Sequence, residues 1–253
     1  MNALVVGGSN GIGLSIVLCL IDDKQIDNIY VIDKCEFPTI YTHDKIKYIS
    51  MDLTKDWDIT KYGIPINDIN ALYITAGFGH LDHFQNFDIE YIKDSFNVNT
   101  ISPILILKQF YSQLLSNQIF NCAVMVSIAG RLNSPLFSIY SATKAALSKC
   151  IEALNTELEM QGSENRILDV SPGSLKGTSF TGGISDPKQN IDLAKEIIIK
   201  SKNKKTLFIP QYDEVYKEVI NRYQSDSHLF GIDSYNYKLQ RKNENIRNKY
   251  SRR

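Results

Sequence analysis

Short apolar runs rich in Val and Ile recur along this chain, and longer segments of helical periodicity separate them. No other feature restricts the fold as strongly. Ala3–Val6, Ile29–Asp33, Ile46–Met51, Ala71–Thr75, Cys122–Ser127, Ile167–Ser171 and Thr206–Pro210 read as seven strands. Gly11–Asp22, Glu90–Ser116, Tyr140–Met160 and Ile191–Lys200 read as helices, the second of them kinked at Pro103. Strands that are apolar along their whole length belong in a sheet buried on both faces. Strand-then-helix alternation makes that sheet parallel, so the expected class is α/β, a doubly wound sheet of about seven strands with helices on both faces. Ligands in such sheets bind beyond the carboxyl ends of the strands, so the residues just after each strand matter most.

A length of 253 residues suits one large α/β domain. We expect a single domain over 1–210 and a helical, basic extension over 211–253. Within that extension Glu214–Tyr223 reads as an amphipathic helix, and the residues after Tyr235 as a solvated, partly frayed tail. The sharper reading of its Lys and Arg residues is a contact with an anionic substrate or a partner subunit. Formal net charge is zero, so no global field argues for nucleic acid or a membrane surface. No 18-residue apolar run exists, and the N-terminus lacks a basic leader and a small-residue cleavage site. Cys19, Cys35, Cys122 and Cys150 include no Cys-x-x-Cys pair, which fits free thiols in a reducing cytoplasm. His80-x-x-His83 has no evident third ligand, and no metal is expected.

Gly7-Gly-Ser9-Asn10-Gly11-Ile12-Gly13 lies between the first strand and the first helix. Backbone amides at a helix N-terminus attract phosphate, and glycines let a pyrophosphate come close. Asp33 ends the second strand, where a carboxylate reaches an adenosine ribose. Together they form a Rossmann-like dinucleotide signature. The Asp33 charge would repel the extra phosphate of NADP, so NAD is expected and NADP is the alternative. Lys34, next in the chain, would soften that repulsion. Asp52 and Leu53, just after the third strand, are candidates for the adenine edge.

Tyr-x-x-x-Lys occurs three times, at Tyr30, Tyr41 and Tyr140. Only Tyr140 with Lys144 has a serine thirteen residues upstream, Ser127, at the end of a strand. Gly7-x-x-x-Gly11-x-Gly13, Asp33, Ala76-Gly77, Asn97-Val98-Asn99, Ser127, Tyr140-x-x-x-Lys144 and Pro172-Gly173, in that order, resemble the classical short-chain dehydrogenase/reductases over about residues 3 to 210. The resemblance implies an NAD(P)-dependent oxidoreductase that interconverts an alcohol and a carbonyl. It implies that Tyr140 is the general acid/base, that Lys144 binds the nicotinamide ribose and lowers the tyrosine pKa, and that Ser127 holds the substrate oxygen. Asn99 would support a proton relay to the lysine. Pro172-Gly173 would border the nicotinamide amide, with Thr178, one residue beyond the usual spacing, helping to hold it. A homodimer or homotetramer is implied, built through the helices at Glu90–Ser116 and Tyr140–Met160. Cys150, Leu154 and Leu158 would lie in the core or at that interface.

The sequence departs from the family at Val6, where a bracing threonine is usual, and at Ile74-Thr75, where two asparagines are common. Asp52–Asn70 is short enough that its helix should shrink to a turn. Ser174–Pro187 is short and glycine-rich, with only Leu175, Phe180 and Ile184 as large apolar residues. Phe78, Leu132 and Phe137 would add some wall. We therefore expect an open site for a small polar alcohol or carbonyl. Two other readings stand: an NAD-binding regulatory or scaffold protein without turnover, and a sugar-nucleotide epimerase or dehydratase.

Overall fold

The computed structural model describes residues 1–178, 180 and 185–250, with side chains described up to residue 240. Seven strands form one all-parallel sheet: β1 (Asn2–Val6), β2 (Asn28–Asp33), β3 (Ile46–Ser50), β4 (Ile69–Ile74), β5 (Asn121–Met125), β6 (Ile167–Val170) and β7 (Leu207–Phe208). Their spatial order is β3-β2-β1-β4-β5-β6-β7. The chain reverses direction across the sheet between β1 and β4, so a crevice opens there at the strands' carboxyl ends.

The pleat divides the core in two. Leu4, Val6, Leu72, Ile74 and Val124 face α3 (Ser102–Gln109) and α5 (Ser138–Met160), meeting Ile106, Leu107, Leu147 and Ile151. Ala3, Val5, Ala71, Tyr73 and Ala123 face α1 (Gly11–Asp22) and α6 (Ile191–Lys202), meeting Ile16, Val17, Ala194 and Ile197. Alternate residues of one strand thus feed opposite layers, as a period of two requires. Each fully buried Leu, Ile or Val contributes about 1.5–3 kcal/mol. In α5, Leu158 is fully buried and Leu154 packs against the same layer, so that part of the stripe belongs to the core.

Two expectations need correction. The single helix over 90–116 is instead α2 (Ile89–Phe96), a π turn (Asn97–Ile101), α3 and α4 (Tyr111–Leu115). Pro103 sits in the first turn of α3, where its missing N–H is tolerated. The interruption precedes it, where Ser102 N–H bonds five residues back to the Asn97 carbonyl. β7 is two residues long rather than five. In the extension, α7 (Lys217–Ser225), entered through a π turn at Tyr212–Tyr216, is followed by α8 (Ser227–Tyr250). Between β3 and β4 only short 3-10 turns remain, as expected.

Candidate active site

The glycine turn is shaped by close backbone approach. Gly7 has φ +85, and a Cβ there would run into the backbone of Ala76 beyond β4. A Cβ on Gly13 would overlap the Gly7 carbonyl and the Thr75 hydroxyl. That hydroxyl is shared between the carbonyls of Val6 and Gly7, 3.0 Å from each. Thr75 therefore supplies the brace that Val6 lacks, from a strand 69 residues away, which spacing alone did not reveal. Asn10 caps α1, its Oδ1 accepting from Gly11 N at 2.7 Å. Gly11 N also donates to Ser185 Oγ at 3.1 Å. Ile12 is buried among the residues facing α6.

Asp33 is fixed by two amides: Oδ2 accepts from Ser9 N and Oδ1 from Cys35 N, both at 3.0 Å. Next to it lies a cavity of about 340 Å³ lined in part by Ser9, Asn10, Cys35, Glu36, Tyr41 and Ser185. Glu36 was not anticipated; only the position of Asp33 pointed there. The hydroxyl of Ser9 is buried with no hydrogen-bond partner among the described residues. Asp52 caps its own turn, accepting from Thr54 N at 2.9 Å, and that bond holds its carboxyl below the usual range. Leu53 is a core residue.

On the other side of the crevice, Ser127 follows β5. Its Oγ accepts from Ala129 N at 3.2 Å and lies 3.4 Å from the Pro172 carbonyl. Tyr140 and Lys144 share one face of α5, a turn apart. Burial pushes the Tyr140 phenol up to about 12, and a hydrogen bond with Ser127 opposes it. Lys144 Nζ donates to the Met125 carbonyl at 2.9 Å and lies 6.0 Å from the Tyr140 ring centre. Burial pulls its ammonium down to about 8, with Asp169 opposing. Burial therefore sets the direction of the Tyr140 shift, and Ser127 is the group that opposes it. Asn99 sits in the π turn; its Nδ2 donates to Phe78 O at 2.8 Å and its Oδ1 accepts from Phe78 N at 2.9 Å. Gly77 joins the two residues: a Cβ there would lie 3.1 Å from Asn99 Oδ1 and 3.2 Å from Lys144 Nζ.

Two aromatic residues wall the tyrosine. Phe180 and Phe137 lie 5.0 and 5.5 Å from the Tyr140 ring, leaving Tyr140 8% exposed. Thr178 Oγ1 donates to Leu175 O at 3.3 Å, and its methyl would meet a Cβ on Gly11 at 3.6 Å. Thr178 therefore stands against the glycine turn. The extension also reaches the site. The Tyr216 phenol packs directly on Gly173 and bonds to the Ser174 backbone. Lys238 Nζ donates to Pro135 O at 3.2 Å, sits 5.6 Å from the Phe137 ring centre, and is pulled down to about 8 by burial. No sequence signal singled out Tyr216, whereas Lys238 is the first cation of the basic tail read from the sequence. Ile184 and the side chains of Arg241, Lys242, Arg247, Lys249, Arg252 and Arg253 lie outside the described residues. Among the described residues no cluster of His, Cys, Asp or Glu is placed to hold a metal, and all four cysteines are free. No described helix is long and apolar enough to cross a membrane.

Residues 1–189 match the family model for short chain dehydrogenase. The chain belongs to the short-chain dehydrogenase family. It is 28% identical to the uncharacterized oxidoreductase TDA5 of Saccharomyces cerevisiae, over 74% of this chain and 58% of that protein. It is 27% identical to the probable short-chain type dehydrogenase/reductase VdlC of Helicobacter pylori, over 69% and 65%. The chain thus spans under two thirds of the length of these relatives. Its fold matches that of a short-chain dehydrogenase from Streptomyces avermitilis with a TM-score of 0.71 at 20% identity, over 98% of this chain and 99% of that one.

Proposed function

We propose that this chain is an NAD-dependent oxidoreductase that interconverts an alcohol and a carbonyl on a small polar substrate. The observation that carries the reading is the hydrogen bond of Tyr140 with Ser127, one helical turn from Lys144, whose ammonium meets Asn99 at Gly77. The residues present fit a dinucleotide: Gly7 and Gly13 leave a cradle that a Cβ would fill, and the orphan Ser9 hydroxyl borders the cavity beside Asp33. Gly11, Ala76, Gly77 and Thr178 would complete the cofactor wall. Asp33 and Glu36 together disfavour an added phosphate, which supports NAD over NADP.

Bound nicotinamide supplies the hydride donor or acceptor. The chain supplies the proton and the orientation. Tyr140 exchanges its phenolic proton with the substrate oxygen, and Ser127 Oγ holds that oxygen. With its pKa near 12, Tyr140 carries its proton at neutral pH, the state that carbonyl reduction requires. To act as a base near pH 8 it must fall by about four units, or about 5 kcal/mol of differential interaction. A full charge about 4 Å away at an effective dielectric near 20 supplies about 4 kcal/mol, most of what is required. Asn99 holds the Phe78 segment that walls the site. Phe180 and Phe137 keep water from the phenol. The extension closes the substrate side through Tyr216 and Lys238, and Ile101 and Leu105, exposed on the outer helices, suit a homodimer or homotetramer contact.

The test is Tyr140→Phe. It should keep NADH binding, read by fluorescence titration, and lose at least about 100-fold in NADH oxidation across a panel of small polar ketones and sugars. A variant that turns over as fast as the native protein refutes the assignment.

A further inference from the structure

Below Lys144 lies a buried ionic cluster to which the reading above gives no role. The Asp169 carboxylate, 4% exposed, accepts from Arg131 Nη2 at 2.6 Å and Ser148 Oγ at 2.7 Å on one oxygen, and from Ser171 Oγ at 2.6 Å on the other. Arg131 also donates to Ser148 Oγ at 3.0 Å and to Ser171 Oγ at 3.3 Å. These residues come from every element that carries the site. Arg131 ends the 3-10 turn capped by Ser127. Ser148 is one helical turn beyond Lys144 on α5. Asp169 and Ser171 lead into Pro172, whose carbonyl accepts from Ile128 N at 3.0 Å. Adjacent to Arg131, a Cβ on Gly130 would lie 2.7 Å from the Lys144 backbone, so the turn and α5 are in direct contact.

We propose that Asp169, paired with Arg131, is a positioning residue that docks the Ser127 turn, α5 and the Pro172 loop together and keeps Lys144 in its charged form. This rests on the dinucleotide reading, because the charge on Lys144 serves cofactor binding. The groups around Lys144 are few. Tyr140 shares its helix, the Met125 carbonyl accepts from it on β5, and the neutral Asn99 approaches from the π turn. From β6 comes Asp169, the one anion that opposes the effect of burial on Lys144. Arg131 is bonded to the same carboxylate, so the cluster couples the anion that acts on Lys144 to a second cation. Asparagine at 169 keeps the shape and accepting oxygen but removes the charge, leaving two cations with no anion between them.

The experiment is NADH affinity against pH, from 6 to 10, by fluorescence titration. Native protein should bind with constant affinity at low pH and weaken tenfold per unit above a break near 8. Asp169→Asn should move the break at least one unit lower, making NADH binding about fivefold or more weaker at pH 8. Arg131→Gln leaves the carboxylate alone and should move the break upward. Ser148→Ala removes one hydrogen bond without changing charge and should leave the break in place. A purely structural cluster would lower the melting temperature of all three variants and move no break. If Asp169→Asn does not fold, Arg131→Gln decides by the direction of its shift. Unshifted breaks in the folded variants overturn the proposal while leaving the dinucleotide site intact. Native protein that binds no NADH at any pH overturns both.

Discussion

Replacing Lys144 with methionine should make the protein more stable while disabling it. The ammonium is fully buried, donates one hydrogen bond, to the Met125 carbonyl, and titrates near 8 instead of the ordinary 10.5. That displacement corresponds to about 3 kcal/mol against folding when the group is charged in both states. Methionine keeps the unbranched stem and removes the charge; losing the hydrogen bond returns about 1 kcal/mol. The net gain at pH 7 is about 2 kcal/mol, or roughly 4–8 °C in melting temperature for a chain of this size. The pH dependence fixes the cause. Below pH 8 the lysine is charged in folded and unfolded chains alike, and the full destabilisation is present. Between 8 and 10.5 the folded chain releases its proton first, so native stability rises with pH and the gap to the variant closes. Calorimetric or circular dichroism melts at pH 7, 9 and 10.5 read this directly. A variant that melts at or below the native protein at pH 7, or a gap that stays constant with pH, refutes the reasoning.

Other substitutions probe the cofactor side and the extension. Asp33→Ala should weaken NAD binding by about tenfold or more, since a charge-assisted hydrogen bond contributes about 1.5–3 kcal/mol, and should improve NADP binding relative to NAD; calorimetric titration of both cofactors checks it. The amides of Ser9 and Cys35, which now hold the carboxylate, become free to receive a phosphate. Gly13→Ala should destabilise the fold by about 1–3 kcal/mol, because its methyl collides with the Gly7 carbonyl and the Thr75 hydroxyl; denaturant melts report the loss. Gly173→Ala should be destabilising alone but nearly harmless combined with Tyr216→Ala, since the methyl would occupy space held by the phenol; a double-mutant cycle should give a coupling of about 1 kcal/mol or more.

What the sequence disclosed depended on the range of each signal. Gly11–Asp22 begins and ends where periodicity and its Asn10 cap place it, because helix ends are decided by neighbours in the chain. The seven strands were legible because burial on both faces leaves runs with no polar interruption. Thr75 was not, since its role as a brace for the glycine turn exists only once β4 lies beside β1. The extension was read as helical, but where it packs was not legible, because few apolar anchors mark the contacts of Asn133 with Ser227 and of Lys238 with Pro135. Tyr216 was missed because an ordinary surface residue reaches the site only through the path of the extension. Desolvation of Tyr140 was likewise invisible, because it is set by Phe137 and Phe180 closing over the ring.

The π turn at Asn97–Ile101 gives α2 and α3 separate phases. One residue beyond the α-helical count rotates everything after it by about a quarter turn or more, so the apolar stripe that α3 presents to the sheet is uncoupled from the azimuth at which Asn99 faces Phe78. An uninterrupted helix would tie the two together, and any substitution that rolled α3 on the sheet would swing Asn99 off the loop. With the turn in place, the outer surface around Ile101 and Leu105 is free to drift and acquire new neighbours while the asparagine keeps its bearing. Deleting a single residue in this stretch would repair the helix and break the site.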